Sequence, residues 1–260
     1  MKLNECRILL TGATGGIGQI LAEQLLAGGA QLLLVSRRAS LPESLQSGQV
    51  CLVQADLGDA AGREAVMAAA RAFGGVNCLI NAAGVNHFGL FEEQSEENIA
   101  RLVNLNLTAT LQLTHQMLPL LYQQPKALIL NVGSTLGTIG FPGFATYCAT
   151  KFALRGFSEA LRRELADSMV KVLYVAPRAT RTSMNGDLVT AMNEELGAAT
   201  DEPMWVARQI VRVIQRETAL RYLGWPEKLF ARINGLLPGM VDGSLRKQLP
   251  IIQRYARQRS

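Results

Sequence analysis

The sequence has few of the residues that build metal sites, disulfide frameworks or membrane spans. Among its 260 residues there are two histidines, with no ligand spacing around them, and four cysteines that lie far apart. Without a C-x-x-C pair, these cysteines are typical of reduced, mostly buried thiols. No apolar run approaches the ~20 residues that span a bilayer, and the first run is too short for a secretory signal. We therefore expect a metal-free, cytoplasmic protein.

Net positive charge is confined to one segment. The formal net charge is +5, and residues 227–260 alone hold seven cations against two carboxylates, so the remainder is balanced. That remainder has no basic stripe interleaved with aromatics, which argues against a nucleic-acid partner. No linker interrupts it, and 48% of the chain is hydrophobic. We expect one catalytic domain over 1–226, followed by a basic, apolar extension over 227–260.

Short apolar runs alternate with longer helical patterns along the chain. Most of the runs are continuously apolar, which is typical of strands covered by helices on both faces. Strands are expected at 6–10, 30–36, 49–55, 76–82, 127–133, 170–176 and 220–224, and helices at 16–29, 63–73, 96–118, 144–165 and 203–217. This succession predicts an α/β fold with a doubly wound parallel sheet of about seven strands. Ligands of such sheets bind beyond the carboxyl ends of the strands.

A glycine-rich loop, LLTGATGGIGQ, follows the first expected strand and opens the first helix. That context is the one in which a glycine loop holds the pyrophosphate of a dinucleotide at a helix N-terminus. The glycines fit two motif spacings. One consists of Gly12, Gly16 and Gly18, and the other of Gly12, Gly15 and Gly18. We expect Gly12, Thr14, Gly16, Ile17 and Gly18 to bind the cofactor.

The second expected strand ends in LLLVSRR, where an NAD-binding site usually has an acidic residue. Here Ser36, Arg37 and Arg38 follow instead. A guanidinium can grip the 2′-phosphate that an acid would repel. The alternative is that both arginines are solvated on a loop. Their position directly after the second strand favours the binding of NADP(H).

Five segments together resemble the short-chain dehydrogenase/reductase family, from about Leu3 to Leu223. They are the glycine loop, LINAAG (79–84), LVNLNLTA (102–109), LILNVGSTLG (128–137) and TYCATKFAL (146–154). The length and the spacing through Gly16 resemble the shorter branch. Two departures are Ala82 in place of an asparagine and Arg178 in place of a glycine.

The resemblance implies a Rossmann-type fold and a catalytic set. Tyr147 would be the general acid/base, Lys151 would lower its pKa and clamp the nicotinamide ribose, Ser134 would donate to the substrate oxygen, and Asn106 would support a proton relay. Chemically, a carbonyl that accepts hydride must also receive a proton, and a phenol needs help because its unperturbed pKa is about 10. Further cofactor contacts are implied for Asp56, Leu57, Asn81, Ala82, Gly84, Pro177, Thr180 and Thr182.

Three features remain open in the sequence. Arg178 could stack on the cofactor, bind an acidic group of the substrate or point to solvent, and the last has as much weight as the other two combined. Residues 183–201 occupy the place of the family's substrate loop. The tail could rest on an anionic membrane or form a flap on the body or on a partner subunit. We favour the flap because Gly235, Pro238 and Gly239 interrupt any long helix.

The predicted function is NADP(H)-dependent hydride transfer between a carbonyl and an alcohol, with a slight preference for an acyl or lipid-like substrate. The alternative is a non-catalytic NADP(H)-binding sensor. An epimerase or dehydratase of the extended branch is disfavoured by length. The resemblance also implies a homodimer or homotetramer that assembles through helices 95–121 and 144–168.

Overall fold

A parallel sheet forms the centre of the protein. The computed structural model describes residues 1–225 and 227–258, and these form seven strands in one sheet. The strands are β1 Arg7–Thr11, β2 Gln31–Ser36, β3 Val50–Gln54, β4 Cys78–Asn81, β5 Ala127–Val132, β6 Val170–Ala176 and β7 Leu220–Tyr222. Their order is β3-β2-β1-β4-β5-β6-β7, with every neighbouring pair parallel. The predicted doubly wound α/β fold is confirmed, and the order reverses between β1 and β4.

Helices cover both faces of this sheet. They are α1 Gly16–Ala27, α2 Ala60–Ala72, α3 Glu96–Val103, α4 Ala109–Tyr122, α5 Ala145–Glu164, α6 Asp187–Glu195, α7 Pro203–Arg216, α8 Glu227–Leu236 and α9 Pro238–Arg257. Strand residues alternate between two buried cores. Ile8 and Ile80 pack with residues of α1 and α7, whereas Leu9 and Leu79 pack with residues of α2 and α4. Burial on both faces explains why the strands read as unbroken apolar runs.

The predicted helix over 96–118 contains a wider turn. Between α3 and α4, residues Asn104–Thr108 adopt π-helical hydrogen bonding. The helix begins where the Ser95 hydroxyl accepts a bond from the Asn98 N–H at 3.3 Å. π-turns inside α-helices occur frequently at functional sites, and this one contains Asn106.

The tail is more helical than the sequence suggested. The predicted interruption falls at Leu237, next to Pro238, but the expectation that no long helix forms is wrong, since α9 runs for 20 residues. Pro238 occupies its first turn, where a missing N–H needs no partner. The break between α8 and α9 is confined to Leu237. Across the parts of the chain that are described, every helix is too short or too polar to cross a membrane.

A carboxylate beyond α7 joins three cations. Glu217 adopts left-handed backbone angles (φ 53°) at the end of α7. Its side chain, 13% exposed, contacts the Lys171 ammonium at 2.6 Å, the Met1 amino group at 2.9 Å and the Lys126 ammonium. Burial would raise the pKa of Glu217, but hydrogen bonds from Lys126, Lys171 and the amino group lower it to about 2.

We predict that Glu217→Gln lowers the free energy of unfolding by about 1 to 2 kcal/mol at pH 7, a figure reduced for solvent screening. Because the folded-state pKa is depressed, the stabilisation is present above pH 4.5 and is lost as pH falls toward 2. Urea unfolding at several pH values measures it. Glu5→Gln, which disrupts an exposed pair with Lys2, is the matched control and should change little. Equal effects of both variants would contradict the account.

Candidate active site

A cavity of about 1110 Å³ opens at the carboxyl ends of the strands. It runs from the glycine loop after β1, past the ends of β4, β5 and β6, to helices α6 and α9. It is larger than most pockets for a single small ligand. All of the predicted site residues line this cavity except Asn81 and Asn106.

The glycine loop is tightly packed against the end of β4. Gly12 has φ +70°, and a Cβ there would lie 2.8 Å from the Ala83 backbone. A Cβ on Gly18 would overlap the carbonyl oxygen of Gly12, whereas one on Gly15 would stay 3.3 Å from that oxygen. A side chain is therefore excluded more strongly at Gly18 than at Gly15.

The turn after β2 is tied to the glycine loop by a buried hydroxyl. The Ser36 oxygen lies 2.8 Å from the Thr14 hydroxyl and accepts a hydrogen bond from the Arg38 N–H at 2.9 Å. Arg37 and Arg38 are exposed at the edge of the cavity. Among the described residues that line the cavity, Asp56 is the only carboxylate. This end of the cavity is therefore suited to an anionic ligand.

Asp56, for which the resemblance implies a cofactor contact, does not cap a helix. Its Oδ1 accepts a hydrogen bond from the Gly58 N–H at 2.8 Å, and Asp59 caps α2 instead by accepting from Gly62. Asp56 remains exposed on the cavity wall beside Leu57.

Ser134, Tyr147 and Lys151 meet at the middle of the cavity. Ser134 follows β5, and Tyr147 and Lys151 share one face in the first turns of α5. The Ser134 hydroxyl lies near enough to the Tyr147 phenol to favour the phenolate as a hydrogen-bond donor, which lowers the pKa of Tyr147 against the effect of burial. The Lys151 ammonium lies 5.7 Å from the centroid of the Tyr147 ring and donates to the Val132 carbonyl at 3.3 Å. The sequence spacing thus brings an acid, a hydrogen-bond donor and a cation together.

Burial controls the protonation of this group. It raises the pKa of Tyr147 to about 12, against the opposing effect of the Ser134 hydrogen bond. It also lowers the pKa of Lys151 to about 8. The lowered phenol pKa that the resemblance implies is not found in this structure, because desolvation of the phenolate outweighs the influence of its neighbours. The phenol is protonated at neutral pH, the form that can donate a proton.

Asn106 lies behind the cavity wall. Its Nδ2 donates to the Val85 carbonyl at 2.9 Å and to the Thr150 hydroxyl at 3.2 Å, and its Oδ1 accepts from the Val85 N–H at 2.8 Å. The side chain is almost fully buried. Asn106 therefore fixes the segment after β4 against α5, and both Asn106 and Lys151 face Gly84.

Asn81 is not among the residues that line the cavity, its side chain points away from it, and its cofactor contact stays a prediction. Strand alternation places it on the same face as Leu79, toward α4. Its Nδ2 donates to Thr114 at 3.1 Å and to Asn131 at 2.8 Å, inside a buried polar network between the sheet and the helices. The neighbouring Ala82 lines the cavity instead.

The segment after β6 is joined to the end of the substrate loop. Arg178 forms an ion pair with Asp201 at 2.8 Å and donates to the Trp225 carbonyl at 3.2 Å, and its side chain is 15% exposed. Of the three interpretations of Arg178, the solvated one is wrong. Thr180 forms an isolated bridge with Asp201, and Thr182 lies against Gly16 of the glycine loop.

The tail contributes a part of the cavity that was not predicted from the sequence. Val241, Leu245 and Gln248 of α9 line it, as does Phe230 of α8. The signal was present: positions 241, 245 and 248 follow the i, i+4, i+7 spacing of one helix face.

Comparison with known proteins agrees with this geometry. The family model described as short chain dehydrogenase matches residues 7–193. Nodulation protein G of Rhizobium sp. (strain N33) is 31% identical over 233 residues, which cover 88% of this chain and 93% of the relative.

Two solved structures share the fold. A short chain dehydrogenase from Burkholderia cenocepacia J2315 in complex with NADP superposes with a TM-score of 0.80, at 24% identity over 94% of this chain and 99% of its own. A short chain dehydrogenase/reductase from Burkholderia phymatum in complex with NAD gives 0.81, at 21% identity over 90% and 94%. At these identities, the superpositions establish the fold alone. From the family match and the relative, the chain belongs to the short-chain dehydrogenase/reductase family.

Proposed function

We propose that this protein is an NADP(H)-dependent oxidoreductase that interconverts a carbonyl and an alcohol. The observation that carries the proposal is the meeting of Ser134, Tyr147 and Lys151 beside a cavity whose other end holds a glycine loop and two arginines. Membership of an oxidoreductase family supports the reaction class.

The residues present fit a nicotinamide dinucleotide. Gly12 and Gly18 carry no side chain at the two most closely packed positions of the loop, so that its backbone can approach a pyrophosphate. Relatives of this fold bind NADP in one case and NAD in another, so the choice of NADP(H) rests on Ser36, Arg37 and Arg38. By the resemblance, Lys151 would hold the ribose and Thr182 the carboxamide. When bound, the cofactor supplies or accepts the hydride.

The protein's own residues handle the proton. In the reducing direction, the Tyr147 Oη gives its proton to the substrate oxygen as negative charge develops there. The Ser134 hydroxyl donates a hydrogen bond to the same oxygen. The Lys151 ammonium stabilises the phenolate that remains until it is reprotonated. Oxidation of an alcohol reverses these transfers.

The lining of the cavity indicates the substrate class, and exposed residues on the helices indicate the oligomeric state. The substrate is a small carbonyl or alcohol, and the apolar walls beyond Tyr147 favour an acyl or lipid-like compound. A cytoplasmic location stays a prediction, and contact of the tail with a membrane stays the less favoured alternative.

We also propose assembly into a homodimer or homotetramer through α3–α4 and α5, where Val103, Tyr122 and Phe152 are exposed. Phe152→Glu should shift the protein toward the monomer in multi-angle light scattering, because a buried carboxylate without a partner is costly. Met169→Glu, at an exposed position outside these helices, is the control. A wild-type monomer at micromolar concentration would contradict this proposal.

The test of the function is oxidation of NADPH by the purified protein against acyl thioesters, aldehydes, cyclic ketones, diketones and steroids. Turnover with NADPH that exceeds turnover with NADH supports the proposal. Tight binding of NADPH without turnover of any carbonyl would favour the non-catalytic sensor instead.

A further inference from the structure

The cavity continues beyond Tyr147 into a region whose walls come from three separate parts of the chain. The segment before α5 contributes Phe141 and Phe144, the substrate loop contributes Val189 and Leu196, and α9 contributes Val241 and Leu245. All six side chains are apolar. This distal region therefore presents a nearly continuous apolar surface next to the proposed reaction centre.

Charge is almost absent from this region. Its polar lining groups from α6 and α9 are the neutral side chains of Asn193, Ser244 and Gln248. Arg178, a cation that also lines the cavity, is engaged by Asp201 at 2.8 Å. Burying an ionised substrate group here would cost free energy without a partner of opposite charge, whereas burying hydrocarbon is favourable.

Helix α9 is held in place as part of this wall. Its C-terminal half buries Ile252 and Ala256 in a cluster with Phe144 and Met192, and the ring of Tyr147 packs against the same cluster. The Tyr255 hydroxyl of α9 donates to the Glu195 carboxylate at the end of α6 at 2.9 Å. Arg254 pairs with the same carboxylate. The tail helix and the substrate loop are thus joined on one side of the pocket.

We propose that α9 forms the outer wall of a binding site for an uncharged alkyl chain attached to the reacting carbonyl, and that Val241 and Leu245 set the length of chain that fits. The inference rests on the proposed function and deepens it. It assigns the tail a role in substrate selection, in place of the membrane contact or the bare flap considered from the sequence.

The test measures binding separately from turnover. The full-length protein is saturated with NADP⁺, with which a ketone cannot be reduced, and is titrated calorimetrically with methyl ketones of four to ten carbons. For the wild type we expect Kd to fall about threefold to fourfold per methylene, on the order of 10³-fold over the series. In Val241→Trp, we expect Kd for the ten-carbon ketone to rise about 10²-fold, while Kd for the four-carbon ketone changes less than about threefold.

Two further variants complete the design. Leu245→Trp should likewise raise Kd for the longest ketones, so the test does not depend on one variant folding. Lys247 is exposed on the same helix and does not line the cavity, so Lys247→Ala should leave the dependence of Kd on chain length unchanged. Melting temperature and NADP⁺ affinity verify that each variant is folded. A wild-type Kd independent of chain length would overturn the inference, as would tryptophan variants that behave like Lys247→Ala.

Failure of the inference and failure of the proposed function are distinguishable. Chain-length-dependent binding without NADPH oxidation would support the apolar site and refute the reductase. If NADPH oxidation depends on Tyr147 but the Kd of the ketones does not depend on chain length, the proposed reductase activity stands and the proposed role of α9 is overturned.

Discussion

Tyr147→Phe is expected to lower kcat/KM for carbonyl reduction by about 10³-fold, within the range that a positioned general acid contributes. The substitution removes one oxygen and keeps the ring that packs in the cluster with Phe144. The phenol proton is available at neutral pH because burial holds the pKa of Tyr147 at about 12. Steady-state NADPH oxidation measures the loss.

Affinity for NADPH should change less than about threefold in the same variant, because Lys151 and the glycine loop are untouched. Tyr122→Phe, at an exposed tyrosine of α4, is the matched control and should keep full activity. If Tyr147→Phe retained more than a tenth of the wild-type kcat/KM, another group would have to donate the proton.

Replacing both Arg37 and Arg38 by alanine is expected to raise KM for NADPH by roughly 10²-fold or more. Each hydrogen bond to a charged group is worth about 1.5–3 kcal/mol, and two guanidinium groups can address one 2′-phosphate. The cofactor NADH lacks that phosphate, so its KM should change less than about twofold. Initial rates with both cofactors at fixed substrate give the ratio.

Arg212→Ala, at an exposed arginine on α7 outside the cavity lining, controls for the loss of surface charge. An equal rise of KM for NADPH and NADH in the double variant would mean that the arginines do not select the cofactor. The choice of NADP(H) would then have to be withdrawn, whereas the reaction class would stand.

Much of this fold could be predicted because its strands are buried on both faces. A run such as that in β2 is apolar at nearly every position, so its type is evident without knowledge of its partners. The candidate site could be predicted because its functional residues lie in short segments. Tyr147 and Lys151 are one helical turn apart, and the glycine loop directly follows β1.

The remaining features depend on tertiary contacts that local sequence does not encode. Asn81 faces α4 because of the strand's exact orientation in the sheet, and Arg178 is held by Asp201, 23 residues away. In the tail, Gly239 suggested a break, but packing of Ile252 and Ala256 against the body stabilises α9 despite the weak helix propensity of that glycine.

The most direct test of the central claim is to follow the hydride itself. Wild-type protein is incubated with NADPH that carries deuterium at the transferable C4 position and with the best ketone of the series, and the alcohol product is examined by mass spectrometry. We predict one deuterium on the carbinol carbon with the wild type, and about 10³-fold slower formation of this product with Tyr147→Phe. Tight binding of NADPH with no deuterium in any product would contradict the assignment as a carbonyl reductase.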